Sequence, residues 1–422
     1  MKSIALHWKI LIGMALGVVF GLVLSFVDGG GAFVGDYIKP FGTIFINLLK
    51  LIAIPLILAS LIKGVSDLQD ISKLSQMGGR TILTYVTTTL IAVTIGLILV
   101  NTIQPGKSIS VETRQELVEA YASDADQKRE AAAKQQEAGP LQALVDIVPS
   151  NIFAAATNNR NMLQIIFFAL FFGIGMILLP QETSKPVKDF FDSFNAVILK
   201  LIDMIMMAAP YGVFALLAAL VVEAPSLELF QALALYAITL LLGLAAMIVV
   251  YSIIVKIFTG RSPSTFFKGI APAQLLAFST SSSAATLPVT MECVEENLGV
   301  DKEVTSFVLP IGATINMDGT SVYQGVAAVF IAQAFGLDLS LSAQLGIIFT
   351  ATLASIGTAA VPSAGIVMLV IVLAQAGIPE AGLALIFAID RPLDMCRTIV
   401  NVTGDAAVSM LVGKSIGKLK DY

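Results

Sequence analysis

The chain has 422 residues, of which 56% are hydrophobic and only 13% charged, with a net charge of −5 and a mean hydropathy of +0.87. Globular proteins carry about 25% charged residues, so a soluble protein is excluded. The acidic balance offers no basic patch for nucleic acid, and a single histidine and two cysteines exclude Ser-His-Asp chemistry, histidine metal sites and a disulfide framework. Transport, channel activity and intramembrane aspartyl catalysis remain.

Six apolar stretches follow one another over the first 258 residues, and each is long enough to cross a bilayer as a helix. Residues 107–140 interrupt them with a Glu-, Lys-, Ala- and Gln-rich segment, which suits a loop in water that is either partly helical or disordered. Lys and Arg cluster at alternate ends of the spans, which predicts that both termini are cytoplasmic. The six stretches are residues 10–27, 44–62, 82–103, 152–179, 191–222 and 229–258.

Two clusters of small and hydroxyl residues interrupt the apolar pattern of the last third of the chain. Residues 277–288 read AFSTSSSAATLP, and residues 355–362 read SIGTAAVP. The apolar arms beside each cluster are roughly ten to fifteen residues long, too short to span. The pattern predicts two re-entrant helical hairpins whose tips are buried in protein or line a cavity. Close packing of helices through small residues is the alternative.

The two clusters belong to a repeat. Pro288 and Pro362 are 74 positions apart, and each cluster precedes a span with a polar centre, in which Asp318 and Asp394 are 76 apart. Basic residues flank the first cluster, whereas residues 303–390 contain no Lys or Arg, so the hairpins should enter from opposite sides. Inverted repeats of this kind place substrate and ion sites near the membrane midplane.

The last span, residues 383–412, carries five ionisable residues. Each charge costs about 2.5–3.5 kcal/mol on insertion scales, so five together require a reason. Four of them recur with Asn401 at intervals of three or four residues, which places them on one face of a helix. This face favours the polar lining of a substrate and ion cavity over a purely structural ion-pair network, which is the alternative. The five are Asp390, Arg391, Asp394, Arg397 and Asp405.

The charge balance of this span indicates a substrate. Together with Asp318, the five residues give a net charge of −2. A bound substrate of charge −1 would change the net charge of the site to −3, and neutralising it in a low-dielectric site requires about three bound cations. Arg397 offers a planar fork for a carboxylate, and Asp394, one turn away, can accept from an ammonium group. The pair indicates an amino acid with an acidic side chain.

Four motifs together resemble the glutamate/aspartate:cation symporters, the dicarboxylate/amino acid:cation family that includes archaeal aspartate transporters and animal excitatory amino acid transporters. The motifs are the serine-rich tip at 279–283, NMDGT at 316–320, SIGTAAVP at 355–362 and DMCRTIVNVTGD at 394–405. The resemblance covers essentially the whole chain. It implies a transporter rather than an enzyme, and an all-α polytopic protein with eight spans and two re-entrant hairpins of inverted topology.

The family organisation implies a homotrimer in the plasma (inner) membrane, in contact with lipid and without nucleic acid, whose transport domain moves like an elevator against a scaffold. The implied divisions are scaffold spans 1–2 at 1–81, span 3 (transport domain) at 82–103, an extracellular loop at 104–145, scaffold spans 4–5 at 146–225, span 6 (transport domain) at 226–258, hairpin 1 at 259–298, broken span 7 at 299–336, hairpin 2 as the gate at 337–378, and span 8 with the cytoplasmic tail at 379–422.

The resemblance also implies a substrate site and three sodium sites. The substrate side-chain carboxylate is expected at Arg397 near Thr320, the amino group at Asp394, and the α-carboxylate at Asn401 and the backbone of Ser283. Thr398 lines the site, and Val361 and the backbone near Gly365 close over it. One sodium ion would use Asp405 and carbonyls of Gly312, Asn316 and Asn401; a second, carbonyls of Thr314, Ser355, Ile356 and Thr358; a third, Asp318, Asn316, Thr88, Thr89 and the Tyr85 carbonyl.

Two departures within the family bear on coupling. Proton-coupled bacterial relatives tend to carry Asn where Asp405 stands, so Asp405 favours coupling to sodium. Animal carriers have a glutamate, implicated in proton coupling, where this chain has Gln324, which cannot titrate, so no proton counter-transport is expected through that position. The family's second arginine is absent, since Ser281 and Met395 occupy its two known positions. Arg391 lies one turn before Met395 and is expected to support Asp394 or the hairpin tip electrostatically, or else to pair with Asp390 alone; Ser281 and Met317 are further supporting candidates.

Other functions fit the sequence less well than sodium-coupled uptake of acidic amino acids. A proton-coupled carrier of glutamate or C4-dicarboxylates is the main alternative, although a dicarboxylate has no ammonium group for Asp394. A neutral amino acid carrier would leave Arg397 without a side-chain carboxylate. An intramembrane aspartyl protease needs YD and GxGD motifs, which the sequence lacks, and an anion channel would leave the polar face of the last span unexplained.

Overall fold

The computed structural model describes residues 6–67, 75–110, 115, 148–157, 162–223, 227–358 and 364–420. Within these ranges the regular secondary structure is helical, and the β-structure consists of an isolated antiparallel bridge between Val300 and Leu419. The predicted all-helical class is therefore confirmed for the described part. The helices are α1 (Leu6–Ser25), α2 (Gly30–Phe33), α3 (Lys39–Asp67), α4 (Ser75–Ile103), α5 (Ile152–Ala156), α6 (Met162–Leu178), α7 (Gln181–Glu223), α8 (Leu227–Thr259), α9 (Pro263–Thr280), α10 (Ser283–Glu292), α11 (Lys302–Ile315), α12 (Asp318–Ala334), α13 (Leu341–Gly357), α14 (Ala364–Gln375) and α15 (Leu383–Ser415).

Three described helical segments are long and apolar enough to cross a membrane: Gly30–Lys63, Met77–Ser108 and Glu228–Thr259. A fourth would be the pair Gln181–Ile205 and Met207–Ala219, which is bent by 46°. Two other predicted spans correspond to shorter apolar helices, Ile12–Ser25 and Gln164–Leu178. Of the two spans predicted in the last third of the chain, one is divided by the break between α11 and α12 and the other, α15, carries charge. Many large apolar side chains on α1 and α8 are exposed, as expected for surfaces that face lipid.

Helices α1, α3, α6 and α7 form one packed group. Helix α1 approaches α7 closely through three glycines spaced by four residues. A Cβ at Gly17 would lie 2.6 Å from the Phe214 carbonyl, and one at Gly21 would lie 2.8 Å from the Ala218 carbonyl. Small residues at this spacing allow membrane helices to pack backbone against backbone.

The predicted span at 152–179 is divided here into α5 and α6, with residues 158–161 outside the described part.

The second group comprises α4, α8, α9, α11 and α12, which pack with one another or against α15. Helices α13 and α14 pack against each other, and both also contact α3 of the first group. Three breaks interrupt this group. The α9–α10 turn has Ser281 in the left-handed region at φ 52°, followed by Ser282, whose hydroxyl accepts from Ala285 N–H and caps α10.

The second break separates α11 from α12 at residues 316–317, and the third separates α13 from α14, where residues 359–363 are outside the described part. The arms α9, α10, α13 and α14 have 18, 10, 17 and 12 residues, so two of them exceed the predicted length. The predicted loop at 104–145 begins with a 3₁₀ turn at Pro105–Ser108; beyond residue 110 it lies outside the described part, apart from residue 115.

The chain after α15 crosses the base of the α9–α10 pair. Lys420 N–H donates to the Gly299 carbonyl (2.9 Å), and Asp301 N–H donates to the Lys418 carbonyl (3.0 Å). Arg261, just before α9, donates to the Lys420 carbonyl at 2.5 Å. The tail therefore ties together the two ends of this helical pair, which lie 38 residues apart in sequence at 261 and 299.

Candidate functional site

Buried charge concentrates where the α11–α12 break meets the middle of α15. Asp318, Asp390, Asp405 and Arg397 are each at most 2% exposed. Charges at this depth are costly unless they are paired, hydrogen-bonded or neutralised by a bound ion. Two clusters result: one around Arg397 and the other around Asp318 and Asp405.

Arg397 is the centre of the first cluster. Its Nη2 donates to Asp394 Oδ1 at 2.8 Å, which joins neighbouring turns of α15. Its Nη1 lies 2.9 Å from Asp390 Oδ1, but neither atom makes a hydrogen bond of acceptable geometry among the described residues. We therefore treat the contact with Asp390 as a Coulombic pair without a directed bond. The Arg397 guanidinium also lies 3.8 Å above the centroid of the Tyr323 ring, a cation–π contact.

Two donors of this guanidinium remain available. Nε and Nη1 of Arg397 have no hydrogen-bond partner among the described residues, although the side chain is fully buried. Gly365 and Thr320 lie beside them: a Cβ on Gly365 would be 3.9 Å from Nη1 and 2.9 Å from the Thr320 methyl carbon. A buried guanidinium with donors that make no directed hydrogen bond provides the charge and the donors for a carboxylate.

Arg391 lies beside the same cluster. Its Nη1 donates to Asp394 Oδ2 at 3.1 Å, and the two side chains are 13% and 9% exposed. Asp394 consequently bridges two guanidinium groups, with one oxygen toward each. The structure thus gives Arg391 an ion pair with Asp394, and the supporting role expected for Arg391 stays a prediction.

Asn401 connects this cluster to the α11–α12 break. Its Oδ1 accepts from Gly319 N–H at 2.8 Å, and its Nδ2 lies 3.3 Å from Met317 Sδ and 3.5 Å from Thr320 Oγ1. Thr398, one turn from Asp394, is buried, and its hydroxyl donates to the Asp394 carbonyl at 2.8 Å. The predicted substrate residues of α12 and α15 therefore adjoin.

Of the substrate-site candidates at the two hairpin tips, those of the first tip lie within the described residues, whereas Val361 of the second tip does not. Ser283 begins α10 and is buried, and α10 packs against α15. Ser281 is buried with a hydroxyl that has no partner among the described residues. Val361, the predicted closing residue of the second tip, lies outside the described residues.

The second cluster begins with Asp405. Its Oδ1 accepts from Asn316 Nδ2 at 3.0 Å. A Cβ on Gly312 would lie 2.6 Å from the same oxygen, so only a glycine allows α11 to approach so closely. The residues predicted for the first sodium ion are thus brought together, with Asn401 one turn earlier on α15.

Asp318, the first residue of α12, accepts from Thr89 Oγ1 at 2.7 Å. Thr88 Oγ1 donates to the Tyr85 carbonyl at 3.0 Å and lies 3.4 Å from Asn316 Oδ1. The set predicted for the third sodium ion therefore also adjoins. One further residue, which the sequence did not predict, contacts the same carboxylate: the Tyr251 hydroxyl of α8 donates to Asp318 Oδ2.

Ser355 of α13 contacts the break from the other side. Its hydroxyl accepts from Met317 N–H and donates to the Ile315 carbonyl, each at 3.1 Å. This places the end of α13, with Ile356 and the following residue pair up to Thr358, next to the end of α11. Thr314, the remaining member of the second predicted sodium set, precedes Ile315, and its exposed hydroxyl donates within its own helix.

The donor chemistry of these sets favours a hard monovalent cation. All three sets consist of oxygen atoms, mostly carbonyl oxygens, with hydroxyl groups in the third set only and at most one carboxylate in each. Within the described part of the chain, no three His, Cys, Asp or Glu side chains converge as a multidentate metal cluster. Oxygen ligands supplied by a broken helix are the type that transporters use for sodium.

Comparison with known proteins adds the family. The model of the sodium:dicarboxylate symporter family matches residues 6–415. The chain is 35% identical to the proton/sodium-glutamate symport protein of Geobacillus stearothermophilus, over 100% of this chain and 97% of that one. It is 38% identical to excitatory amino acid transporter 3 of Mus musculus, over 97% and 85%, and 34% identical to the proton/glutamate-aspartate symporter of Escherichia coli K12, over 98% and 94%.

Proposed function

The chain belongs to the sodium:dicarboxylate symporter family, and we propose that it imports aspartate and/or glutamate together with several sodium ions by secondary active transport. Relatives of 34–38% identity carry names that specify glutamate or glutamate and aspartate symport, or excitatory amino acid transport. The chain is a membrane protein, as its family and apolar helices show. We place it in the plasma (inner) membrane with both termini in the cytoplasm.

The single observation that carries the proposal is the pair of unused donors on Arg397. The guanidinium already pairs with Asp390 and Asp394, yet neither Nε nor Nη1 makes a directed hydrogen bond among the described residues, although Nη1 lies 2.9 Å from Asp390 Oδ1. Those donors suit the side-chain carboxylate of an acidic amino acid, with Thr320 and Gly365 beside it. Asp394 then accepts the ammonium group, and Asn401 with the start of α10 at Ser283 receives the α-carboxylate.

Sodium coupling is supported by the second cluster. Asp318 and Asp405 are buried and form no ion pair with Lys or Arg among the described residues. Hydroxyl and amide donors lower the cost of burying these charges, but they do not cancel it. Co-transported sodium ions would provide the missing positive charge at three sites, and they are cargo rather than a resident cofactor.

For movement, we propose the elevator arrangement of eight spans and two re-entrant hairpins. The group α1, α3, α6 and α7 supplies the scaffold, through which three copies assemble, and the group around α15 carries substrate and sodium. Two features support the division: α1 is packed tightly on α7, and helices α9 and α13 both end in non-helical backbone, at Ser281 and at Thr358. The α13–α14 pair, whose arm holds Ser355 against the break, acts as the gate.

We assign Arg391 a supporting role. By holding Asp394 Oδ2 at 3.1 Å, it keeps the carboxylate oriented while Oδ1 remains with Arg397. Loss of one hydrogen bond to a charged group costs about 1.5–3 kcal/mol, so Arg391→Ala should raise the aspartate KM about tenfold or more. An unchanged KM and turnover would contradict the assignment.

Uptake into proteoliposomes tests the function as a whole. The purified protein is reconstituted, and radiolabelled aspartate, glutamate and succinate are offered under an inward sodium gradient or an inward proton gradient. We expect aspartate or glutamate uptake that requires sodium, with little succinate uptake. Uptake driven by protons without sodium would instead establish the proton-coupled alternative, which the names of two relatives keep relevant.

A further inference from the structure

One buried side chain reaches the Asp318 carboxylate from a helix that contributes none of the predicted sodium ligands. Tyr251 of α8 is fully buried, and its hydroxyl donates to Asp318 Oδ2. Thr89 of α4 donates to the other oxygen at 2.7 Å. The carboxylate at the start of α12 is therefore held by hydroxyl groups from two different helices.

The position of the Tyr251 ring depends on a close approach to α15. A Cβ on Gly404 would lie 2.9 Å from Tyr251 Cζ and 2.8 Å from Asn316 Nδ2. The same Asn316 amide nitrogen donates to Asp405. The phenol thus lies against groups that serve both buried carboxylates, and only a glycine at 404 leaves room for it.

We propose that Tyr251 is a positioning residue for sodium binding at Asp318, a role that rests on the proposed sodium coupling. Each carboxylate oxygen can accept along two lone-pair directions, so a phenol hydrogen bond and a sodium ion can share the carboxylate. The bond persists when the ion binds and holds the carboxylate in the orientation that the ion requires. A ligand oriented in advance loses less freedom on binding.

The variant Tyr251→Phe removes the hydroxyl and keeps the ring. Sodium chloride is titrated into the purified full-length protein in choline buffer without substrate, and the melting temperature is measured at each concentration. We expect sodium to stabilise the wild type. In Tyr251→Phe, the sodium concentration for half-maximal stabilisation should rise about tenfold or more, as expected for a lost hydrogen bond to a charged group.

Tyr236→Phe is the matched control. Tyr236 lies on the same helix, is also fully buried, and has a hydroxyl without a hydrogen-bond partner among the described residues. This variant should show the sodium midpoint of the wild type. In uptake assays, Tyr251→Phe should raise the sodium requirement while the aspartate KM at saturating sodium stays close to that of the wild type, a separation that a general loss of structure would not produce.

Each outcome decides the proposal. A wild-type sodium midpoint in Tyr251→Phe overturns it, and a lower midpoint also overturns it, because the phenol would then compete with sodium. If Tyr251→Phe fails to fold, Gly404→Ala, which keeps the hydroxyl but crowds the ring, must show the raised midpoint, and a wild-type midpoint overturns the role. Absence of any sodium response in the wild type would overturn the proposed coupling, and with it this role.

Discussion

The variant Arg397→Lys tests whether the unused donors of the buried guanidinium bind the substrate carboxylate. Lysine keeps the positive charge beside Asp390 and Asp394, so the variant does not leave two buried carboxylates without a cation, a loss that would cost about 3–5 kcal/mol. What it removes is the planar fork, because an ammonium group is a compact point charge. The substitution therefore changes geometry more than charge.

The expected loss follows from the bonds that Arg397 makes. Nη2 serves Asp394 at 2.8 Å and Nη1 lies 2.9 Å from Asp390 Oδ1, but Nε and Nη1 make no directed hydrogen bond among the described residues. With the N–H of Nε and one of the two on Nη1, the substrate would receive two charge-assisted bonds. A lysine that still serves the two aspartates can offer at most one. At about 1.5–3 kcal/mol for each such bond, we expect aspartate binding to weaken by about 2–3 kcal/mol, or about 30- to 150-fold in KM.

The assay is initial-rate uptake of aspartate into proteoliposomes at saturating sodium, with substrate-dependent thermal stabilisation as an independent measure of binding. The control is Arg80→Lys, the same substitution at an exposed arginine whose Nη1 donates to the Ser415 carbonyl and hydroxyl at 2.6 and 2.9 Å. The control should keep the aspartate KM of the wild type. An aspartate KM within twofold of the wild type in Arg397→Lys would refute the assignment of the free donors.

Three further predictions concern the cation cluster and the tail. Asp405→Asn removes a charge that no described Lys or Arg balances, so the sodium concentration for half-maximal uptake should rise at least tenfold; an unchanged sodium titration would exclude Asp405 as a ligand. Gly312→Ala places a methyl group 2.6 Å from Asp405 Oδ1 and should weaken sodium-dependent stabilisation, whereas Gly346→Ala, with open space around its Cβ, should not. Ending the chain after Ile416 removes the tail bonds at the base of the α9–α10 pair, and hydrogen exchange should accelerate there; unchanged protection would show that the tail does not restrain that pair.

The sequence predicted the elements whose signals are local. Ten or more consecutive apolar residues, a cluster of serines before a proline, and NMDGT between two apolar arms each marked a helix or a break, and the breaks at Ser281 and at residues 316–317 lie where those clusters stand. The spacing of the charges on α15 also placed Asp394 and Arg397 within reach of each other. Such features depend on the period of a helix, which is readable without knowledge of tertiary contacts.

Tertiary partners could not be predicted in the same way. Tyr251 lies 67 residues before Asp318 within a uniformly apolar helix. In such a helix, the sequence around a tyrosine that contacts a buried carboxylate looks the same as the sequence around a tyrosine that faces lipid. The cation–π contact of Tyr323 with Arg397 likewise depends on how α12 packs against α15. For Arg391, the periodicity allowed a partner in either direction along α15, and only the rotamers in the folded protein selected Asp394 over Asp390.

The break between α11 and α12 physically links the two clusters, and it is a route by which the proposed binding of sodium could be coupled to that of substrate. Asn316 contacts Asp405 on the cation side, and three residues later Gly319 N–H holds Asn401 on the substrate side. An ion that binds Asn316 and Asp318 must fix this short non-helical stretch, and by doing so it orders Asn401 and Thr320 before substrate arrives. If sodium has already ordered these residues, substrate binding no longer carries the entropic cost of ordering them. Sodium should therefore raise the affinity for substrate, and substrate should raise the affinity for sodium by the same factor. Equal reciprocal shifts, measured as sodium midpoints with and without aspartate and as aspartate affinities with and without sodium, are the quantitative consequence.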